Sequence, residues 1–533
     1  MRYLPIALTA LALSGAAPSA QAPVDLKAQQ LLFPVIDDGD DQYGWDAAMD
    51  GDWLLIGARV DKGSVGTAAG RGYLYQWTGT EWSLHQLLTP SDIAPFAFYG
   101  AGTAIEGDLL AISATDTFVS GTPLGTVAVY RLQGSTWVEE DLLLPPPIGF
   151  ANTELGGQGL EISGDTIAAG ASWYNGFSGA VGVWRFVAGS WTIEAWILPP
   201  PSAGGEFGID VALDGDVMVV TTDPTPGSGP AFVYRRSGTV WNLEQQLNYP
   251  AGTFPGTVGF GKGADVDGNT IALGASWGGG SALVLTYEWN GSAWVPDQSL
   301  PGFAGAGNDD FGIAIELDGD LLLVGSSAPD GGAYLYVREA GVWVPWAHLD
   351  PLGTQGVPQN PSGFGMAVAM ADGRAVAAHP LYDHPGFDRG AAVAFEIPMP
   401  GGPSLIGDAR EASLSLGGTQ ELGLFAGSSH AGELHFLLGS SSGTAPGLPL
   451  GGLVLPLNPD PYFSLTLAMP GVPPVVHSFA ALDAAGASWA RFELPPGTSP
   501  ALAGVTVHHA FLAIDGVPSV TFTSNAEDVL LVP

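Results

Sequence analysis

The chain lacks cysteine, and this absence removes several kinds of chemistry at once. None of its 533 residues is Cys, so disulfide scaffolds, thiolate metal sites and cysteine nucleophiles are excluded. Basic residues are scarce as well, with 15 Lys and Arg against 53 Asp and Glu and a net charge of −38. A nucleic-acid-binding protein needs cations that displace counterions from phosphates, so nucleic acid is excluded as a partner. The acidity favours solubility and suits divalent cations or a salty exterior.

Long hydrophobic runs are also missing, except for one short run at the N-terminus. Residues 1–22 combine Arg2, an apolar stretch over 4–13 and small residues after it, which is the pattern of a signal peptide. An N-terminal membrane anchor is the alternative, but the stretch is shorter than the ~20 residues that a span needs. We therefore expect a bacterial protein that is secreted or held at the cell surface, with no membrane span in the mature chain.

Glycine and proline are abundant, with 78 Gly and 43 Pro, and they separate short bursts rich in Val, Thr and aromatic residues. This pattern predicts an all-β protein. An aromatic residue or Leu followed by Gly recurs every 51 to 56 residues, at Tyr43-Gly44, Tyr99-Gly100, Leu155-Gly156, Phe207-Gly208, Phe260-Gly261, Phe311-Gly312 and Phe364-Gly365. Each pair is followed by a second glycine, an apolar burst, an alternating strand and, in six repeats, a turn and a Trp.

Each repeat therefore predicts four antiparallel strands, and four-stranded units at this period indicate a β-propeller. The Asp-Gly pairs, such as Asp318-Gly319, predict two-residue hairpin turns with carboxylates on a solvated rim. The six Trp, at 82, 137, 191, 241, 294 and 343, are expected to pack between blades. The seventh repeat lacks its last strand, and residues 27–34 resemble the last strand of the other repeats. We expect this N-terminal segment to complete blade seven and close the ring.

These repeats resemble FG-GAP repeats, in the bacterial variety related to the propeller of integrin alpha chains. The FG element stands at Phe207-Gly208, Phe260-Gly261, Phe311-Gly312 and Phe364-Gly365, and a degraded GAP element at residues 57–58, 170–172, 274–276 and 325–327. The resemblance implies a seven-bladed β-propeller over residues 23–398 that binds protein partners. Integrin-type repeats also carry a calcium loop between the first two strands. Here that connection is only a tight turn, which cannot surround an ion that takes six to eight oxygens.

The repeat ends at a Pro- and Gly-rich linker, residues 399–403. Residues 404–533 contain short alternating strands, which predict a small β-sandwich accessory domain. His508 and His509 lie on one of these strands, so we expect one to face inward and the other outward.

Aromatic and polar side chains in the variable loops are the candidate ligand-binding residues. Trp173, Tyr174 and Trp277 follow the second strands of their blades, where a sugar or peptide could stack. The loop of blade seven adds His379, Tyr382, Asp383, His384 and Asp388, either as a solvated loop or as a transition-metal or catalytic site. No cofactor is required, but two acidic clusters offer oxygens for calcium: Asp37, Asp38, Asp40 and Asp41, and Asp309 with Asp310.

The favoured function is an exported, non-catalytic binding or adhesion protein whose variable loops form a recognition surface on a rigid disc. Its partner would be an extracellular protein or glycan. One alternative is an extracellular enzyme acting on polysaccharide or ester, which would need titratable groups from several blades in one pocket. Another is a structural spacer or envelope component without a ligand.

Overall fold

The fold was analysed in a computed structural model. It describes residues 24–27, 29–36, 41–62, 66–119, 122–146, 153–222, 229–249, 259–276, 282–302, 311–327, 332–339, 341–350, 363–382, 389–397, 404–407, 411–483, 486–516 and 519–533. These residues are almost entirely β, with short α-helices at Tyr174–Phe177 and Pro461–Ala468 and 3-10 turns at Ser428–His430 and Pro500–Leu502. No helix in them is long and apolar enough to cross a bilayer.

The chain divides into two compact units. Lys27–Trp343 and His348–Glu396 form the first unit, while Val344–Ala347 and Ile397–Pro533, with the residues up to Leu26, form the second.

Seven antiparallel sheets, numbered here in chain order, follow the repeats through the described residues. Sheet 1 consists of Tyr43–Asp50, Trp53–Ala58, Arg71–Trp77 and Trp82–Leu88. Sheet 2 consists of Tyr99–Glu106, Leu109–Ala114, Thr126–Gln133 and Thr136–Leu143. Sheet 3 consists of Leu155–Ser163, Thr166–Ala171, Val181–Val187 and Ser190–Ile197. Sheet 4 consists of Val211–Asp214, Val217–Val220, Ala231–Ser237 and Val240–Leu247. Sheet 5 consists of Gly259–Asp267, Thr270–Ser276, Leu283–Trp289 and Trp294–Pro301. A small hairpin, Phe118–Val119 with Thr122–Pro123, extends from sheet 2.

The last two sheets include strands from the N-terminal segment. Sheet 6 consists of Ile315–Asp318, Leu321–Ser326, Gly332–Glu339 and Val342–Asp350, with Val24–Lys27 as a fifth strand at its edge. Sheet 7 consists of Ala367–Ala371, Arg374–His379, Ala391–Glu396 and Gln30–Leu32. Gln30 pairs with Ala394 and Leu32 with Ala392, so the predicted pairing of the N-terminal segment with the last repeat is confirmed.

The first strands of the seven sheets contact one another in a closed cycle, in which Ala367–Ala371 of sheet 7 meets Tyr43–Asp50 of sheet 1. The aromatic residue or Leu that begins each repeat is fully buried, with 0% exposure at positions 43, 99, 155, 207, 260, 311 and 364. These side chains occupy the cores between and within sheets, as in the edge-to-face contact of Tyr43 with Tyr73, whose ring centroids lie 5.1 Å apart.

In six of the seven sheets the hairpin between the first two strands differs in register from the prediction, while in sheet 7 Ala371 pairs with Arg374 and the turn is Asp372-Gly373, as predicted. Asp50 pairs across the hairpin with Trp53, so Asp50 is the last residue of its strand and the turn is Gly51-Asp52. Gly51, with φ +53°, is the first turn residue, as in a type II′ turn. The backbone of Asp50 is paired within its own sheet, while its carboxylate contacts the next sheet. Its Oδ2 accepts a hydrogen bond from the amide of Gly107 in sheet 2 at 2.6 Å.

The same bond recurs between later sheets, so the hairpin acids join neighbouring sheets instead of forming only a solvated rim. The acceptor–donor pairs are Glu106 with Gly164, Ser163 with Gly215, Asp214 with Gly268 and Asp267 with Gly319. At the outer strands the six Trp predicted to pack between blades are all buried, at 1–8% exposure.

The second unit contains two facing sheets around one core. Leu405–Gly407, Gly418–Phe425, Ala487–Leu494 and Val475–Val476 form one sheet. Glu411–Ser413, Glu527–Val532, Thr506–Ile514, Leu434–Ser440 and Phe479–Ala481 form the other, with Val520–Thr523 paired to Thr506–Ile514. Leu448–Leu450 and Leu453–Leu455 form a separate hairpin. Leu424 and Phe492 from the first sheet pack in the same core as Phe511 and Val529 from the second.

Candidate active site

Two carboxyl side chains, Glu154 and Glu206, enter one cavity from the residue that precedes the Leu-Gly or aromatic-Gly pair of their repeats. At this position Gln42, Phe98, Glu154 and Glu206 all have a left-handed backbone, with φ between +49° and +53°. This conformation is unfavourable for residues other than glycine and is concentrated at functional sites. Three of the four side chains are polar, so the repeat places a set of strained polar residues on one face of the first unit.

The cavity has a volume of about 190 Å³ and is lined by four consecutive repeats. Its lining residues are Trp45, Arg59, Ala101, Thr115, Glu154, Gly157, Ser172, Trp173, Glu206 and Ile209. They come from two kinds of segment, the start of a first strand and the end of a second strand. In an antiparallel hairpin these two ends lie side by side, which is why they meet at one face.

Glu154 is the central ionisable group of this cavity. Its Oε2 accepts a hydrogen bond from the hydroxyl of buried Ser172 at 2.9 Å. Burial raises the pKa of Glu154 to about 7, and the nearby carboxylates of Glu206 and Asp116 act in the same direction. The Ser172 hydrogen bond and the charge of Arg59 oppose this rise. At neutral pH Glu154 is therefore protonated in a substantial fraction of molecules, as a general acid requires.

Arg59 and Trp45 also line the cavity. The guanidinium carbon of Arg59 lies 3.0 Å from the centroid of the Trp45 ring, and its Nε donates to Oε1 of Gln42 at 2.7 Å. Burial lowers the pKa of Arg59 to about 10, so it remains a cation at neutral pH. Trp173, 37% exposed, borders the cavity and gives it an apolar ring surface.

A second polar cavity, of about 120 Å³, lies among the first strands and is lined by Asp46, Glu161, Asp210 and Glu316. Burial raises the pKa of Asp46 to about 7 and that of Asp210 to about 8, and it raises the pKa values of Glu161 and Glu316 well above their ordinary range. Asp46 and Asp210 each accept an amide hydrogen bond from the next sheet, at 2.7 and 2.9 Å. Asp46 and Asp210 thus help to join neighbouring sheets. Within the described residues, no group of three or more His, Asp or Glu is placed to hold a metal.

Of the predicted site residues that the structure describes, Trp173 alone lies at the cavity. Tyr174 is 7% exposed and packs on Trp196, so its ring is part of the core. His379 and Tyr382 are 8% and 3% exposed and pack with Phe364. The other loop candidates, Trp277, Asp383, His384 and Asp388, lie outside the described residues, as do Asp37, Asp38, Asp40, Asp309 and Asp310 of the calcium prediction. Asp41, the remaining member of that set, is fully buried.

Sequence reasoning did not find Arg59, Glu154 or Glu206. A signal was present, because Gln42, Glu154 and Glu206 occupy the same repeat position one residue before the aromatic-Gly pair. Nothing in the sequence, however, indicated that this position adopts a left-handed backbone and that its side chains meet across sheet boundaries.

No protein-family model and no curated protein sequence matches the chain. Several solved structures are similar to it at TM-scores of 0.37 to 0.40. The periplasmic gluconolactonase of Pseudomonas aeruginosa is 15% identical with a TM-score of 0.40, covering 57% of this chain and 84% of that one. A candidate 6-phosphogluconolactonase from Bacteroides uniformis is 11% identical with a TM-score of 0.39, covering 57% and 83%. The N-terminal domain of Nup159 is 7% identical with a TM-score of 0.38, covering 72% and 99%. These neighbours are β-propeller-type folds. In this chain, the β-propeller type is seen in its own four-stranded sheets, whose first strands contact one another in a closed cycle.

The expectation of a non-catalytic binding or adhesion protein is corrected by these comparisons. The solved structures similar to this chain include proteins described as gluconolactonase and 6-phosphogluconolactonase, and these names denote enzymes.

Proposed function

We propose that the chain is an exported enzyme that hydrolyses a polysaccharide or ester at the Glu154 cavity. The observation that carries this proposal is the convergence of Glu154, Glu206 and Arg59, from three different repeats, on one cavity bordered by Trp173. Titratable groups from several repeats in one concave site are what an active site requires and what a packing role does not.

The arrangement suits cleavage of a glycosidic bond in particular. Glycosidases use two carboxyl groups, one of them protonated at the working pH by a raised pKa. In the proposed reaction Glu154 donates its proton to the leaving oxygen as the glycosidic C–O bond breaks. The oxygen of a water molecule bonds to the anomeric carbon, and its proton passes to the carboxylate of Glu206. The ring of Trp173 offers a surface on which a sugar can stack.

Ester hydrolysis is the second candidate, and the hydrogen bond between Ser172 and Glu154 favours it. The Ser172 hydroxyl could attack the ester carbonyl while Glu154, in its ionised form, takes the hydroxyl proton. The alcohol would leave with that proton, and water would then release the acid from Ser172. Replacement of Ser172 by Ala separates the candidates, since only the ester reaction needs the hydroxyl as nucleophile.

The test is an activity screen with the purified mature protein. Polysaccharides are assayed by release of reducing ends, and esters and lactones by release of acid. We expect Glu154→Gln to lower kcat at least 100-fold, with unchanged thermal unfolding. We also expect the wild-type glycosidase rate to fall as the pH rises above about 7, where Glu154 loses its proton. Glu81→Gln, which alters an exposed carboxyl elsewhere, is the matched control. Full activity of Glu154→Gln would overturn the assignment.

At the level of fold, we propose a seven-bladed propeller of the FG-GAP type, closed by Gln30–Leu32 and followed by a β-sandwich over residues 404–533. Support comes from the seven successive sheets, from the cyclic contacts of their first strands and from the two facing sheets of the second unit. A signal peptide over residues 1–22 is part of this proposal. N-terminal sequencing of the secreted protein tests it.

A further inference from the structure

Arg59 differs from eight other arginines of the described chain in having no ion pair with a carboxylate among the described residues. Eight arginines lie 2.5 to 3.3 Å from a carboxylate oxygen: Arg71, Arg131, Arg185, Arg235, Arg236, Arg338, Arg374 and Arg491. Arg59 forms no such ion pair within the part of the chain that the structure describes. In a protein with 53 acidic residues against 15 basic ones, an arginine without an ion pair among the described residues is a candidate binding group for another anion.

The orientation of Arg59 is fixed by neutral groups. One face of the guanidinium is covered by Trp45, and Nε is occupied by the Gln42 side chain. The two terminal nitrogens make no hydrogen bond with another described residue, and the side chain lines the cavity that also contains Glu154. A planar guanidinium with two free nitrogens matches the two oxygens of a carboxylate.

Glu154 does not fill this role. Glu154 directs its Oε2 to Ser172, and it contributes to Arg59 only a longer-range attraction. Partial protonation of Glu154 at neutral pH also reduces the repulsion that an incoming anion would meet. The cavity can thus accept one negative charge beside Arg59 while keeping an acidic proton at Glu154.

We propose that the substrate of the Glu154 cavity carries a carboxylate, which Arg59 binds through its two terminal nitrogens, so that the substrate class is an acidic polysaccharide built from uronic acid units. This inference rests on the proposed function and specifies its substrate. The sugar ring that bears the carboxylate would lie between Arg59 and Trp173, with its glycosidic oxygen toward Glu154.

The decisive experiment compares one uronic-acid polysaccharide with the same polymer after its carboxyl groups have been reduced to alcohols. For the wild type we expect kcat/KM to be at least 10-fold higher on the acidic polymer. In Arg59→Gln this ratio should fall toward one, and in Arg59→Lys, which keeps the charge but loses the planar pair of donors, it should lie between. Arg185→Gln, which alters an arginine outside the cavity, should keep the wild-type ratio. A wild-type ratio near one, or a high ratio that survives in Arg59→Gln, would overturn the inference.

A binding measurement separates this inference from the proposed reaction. Calorimetry with an oligouronide and the Glu154→Gln protein should show binding that weakens at least 10-fold when Arg59→Gln is added. If oligouronide binds in this way but the wild type cleaves no polysaccharide or ester, the result would support the carboxylate site and reject the enzyme. Cleavage of neutral polymers without oligouronide binding would reject the carboxylate site and support the enzyme. If Arg59→Gln does not fold, Arg59→Lys provides the same comparison.

Discussion

The side chain of Gln30 and the backbone of Trp82 exchange two hydrogen bonds across the boundary between sheets 7 and 1. Nε2 of Gln30 donates to the Trp82 carbonyl at 2.8 Å, and the Trp82 amide donates to Oε1 of Gln30 at 2.7 Å. The same reciprocal pair occurs at other boundaries, as Gln86 with Trp137, Gln245 with Trp294 and Gln298 with Trp343. The N-terminal strand therefore makes the contact that the outer strand makes in other repeats.

Removing this contact should destabilise the first unit. We expect Gln30→Ala to lower the free energy of unfolding by about 1–3 kcal/mol, because it leaves the amide and carbonyl of Trp82 unpaired. Gln86→Ala, which removes the equivalent pair of hydrogen bonds with Trp137 between sheets 1 and 2, should lower the free energy of unfolding by a similar amount. Urea unfolding followed by tryptophan fluorescence measures both. A loss for Gln86→Ala but none for Gln30→Ala would show that the N-terminal strand contributes nothing to closure.

A stabilising substitution is expected at Gln29. In sheet 4 the residue before the Gln245 contact is Glu244, whose Oε2 accepts a hydrogen bond from Nε1 of Trp294 at 3.2 Å. Gln29 occupies the corresponding position in sheet 7, and it lines a cavity of about 150 Å³ with Trp82 and Arg374. Nε1 of Trp82 and Nε of Arg374 are buried there without a hydrogen-bond partner among the described residues.

We therefore expect Gln29→Glu to raise the free energy of unfolding by about 1–2 kcal/mol, since a carboxylate can accept from both donors. Combining it with Trp82→Phe, which removes one donor, should reduce the gain. Thermal and urea unfolding of the four proteins in this cycle provide the test. Destabilisation by Gln29→Glu would mean that the two donors are not accessible to that side chain.

Close backbone contact explains the glycines of the GAP-like element. A Cβ added to Gly170 would lie 1.9 Å from the carbonyl oxygen of Gly208, the FG glycine of the next sheet. We expect Gly170→Ala to destabilise the first unit by about 3 kcal/mol, because sheets 3 and 4 must separate. Gly164→Ala, at a hairpin where the Cβ meets nothing within 4 Å, should cost only about 1 kcal/mol from its positive φ. Equal costs would argue against a tight contact at Gly170.

The two units should respond to pH in opposite directions. Burial raises the folded-state pKa values of Asp46, Asp210 and Asp265 to about 7, 8 and 7. The stability that these groups give the folded first unit is therefore fully present below their unfolded pKa of about 4. It is lost as the pH rises toward 8. In the second unit, burial lowers the pKa of His435 to about 4 and that of His509 to about 3. Their contribution is present above about pH 6.5 and is lost as the pH falls.

Calorimetric unfolding at several pH values tests this contrast. Between pH 6.5 and 4 the second unit should lose about 1.4 kcal/mol per histidine for each pH unit, while the first unit gains stability. Gln30→Ala identifies the transition of the first unit, and His435→Asn should reduce the acid sensitivity of the second. Movement of both transitions in the same direction would contradict the assignment.

The repeat made much of the fold predictable. The seven aromatic-Gly or Leu-Gly pairs indicated seven four-stranded units, and the likeness of residues 27–34 to the outer strands predicted that Gln30–Leu32 would pair with Ala391–Glu396. His509 is fully buried while His508 is partly exposed, as the alternation predicted. Six of the seven hairpins were displaced by one residue, because the turn begins at the glycine, as at Gly51-Asp52, and not at the residue before it. In sheet 7 the turn is Asp372-Gly373, as predicted.

The candidate site was harder to predict because no single repeat contains it. His379 and Tyr382 belong to the most polar loop in the sequence, yet the structure buries them against Phe364. Arg59, Glu154 and Glu206 lie 52 to 147 positions apart, and each is unremarkable among its neighbours in the chain.

The sequence alone determined the periodic strands, the small residues where sheets converge and the excess of acid, because these are properties of local pattern and composition. Only the tertiary structure decided which polar side chains share a cavity. A carboxyl group acquires a pKa near 7, and a guanidinium stays without an ion pair among the described residues, only through burial and neighbours that distant repeats supply.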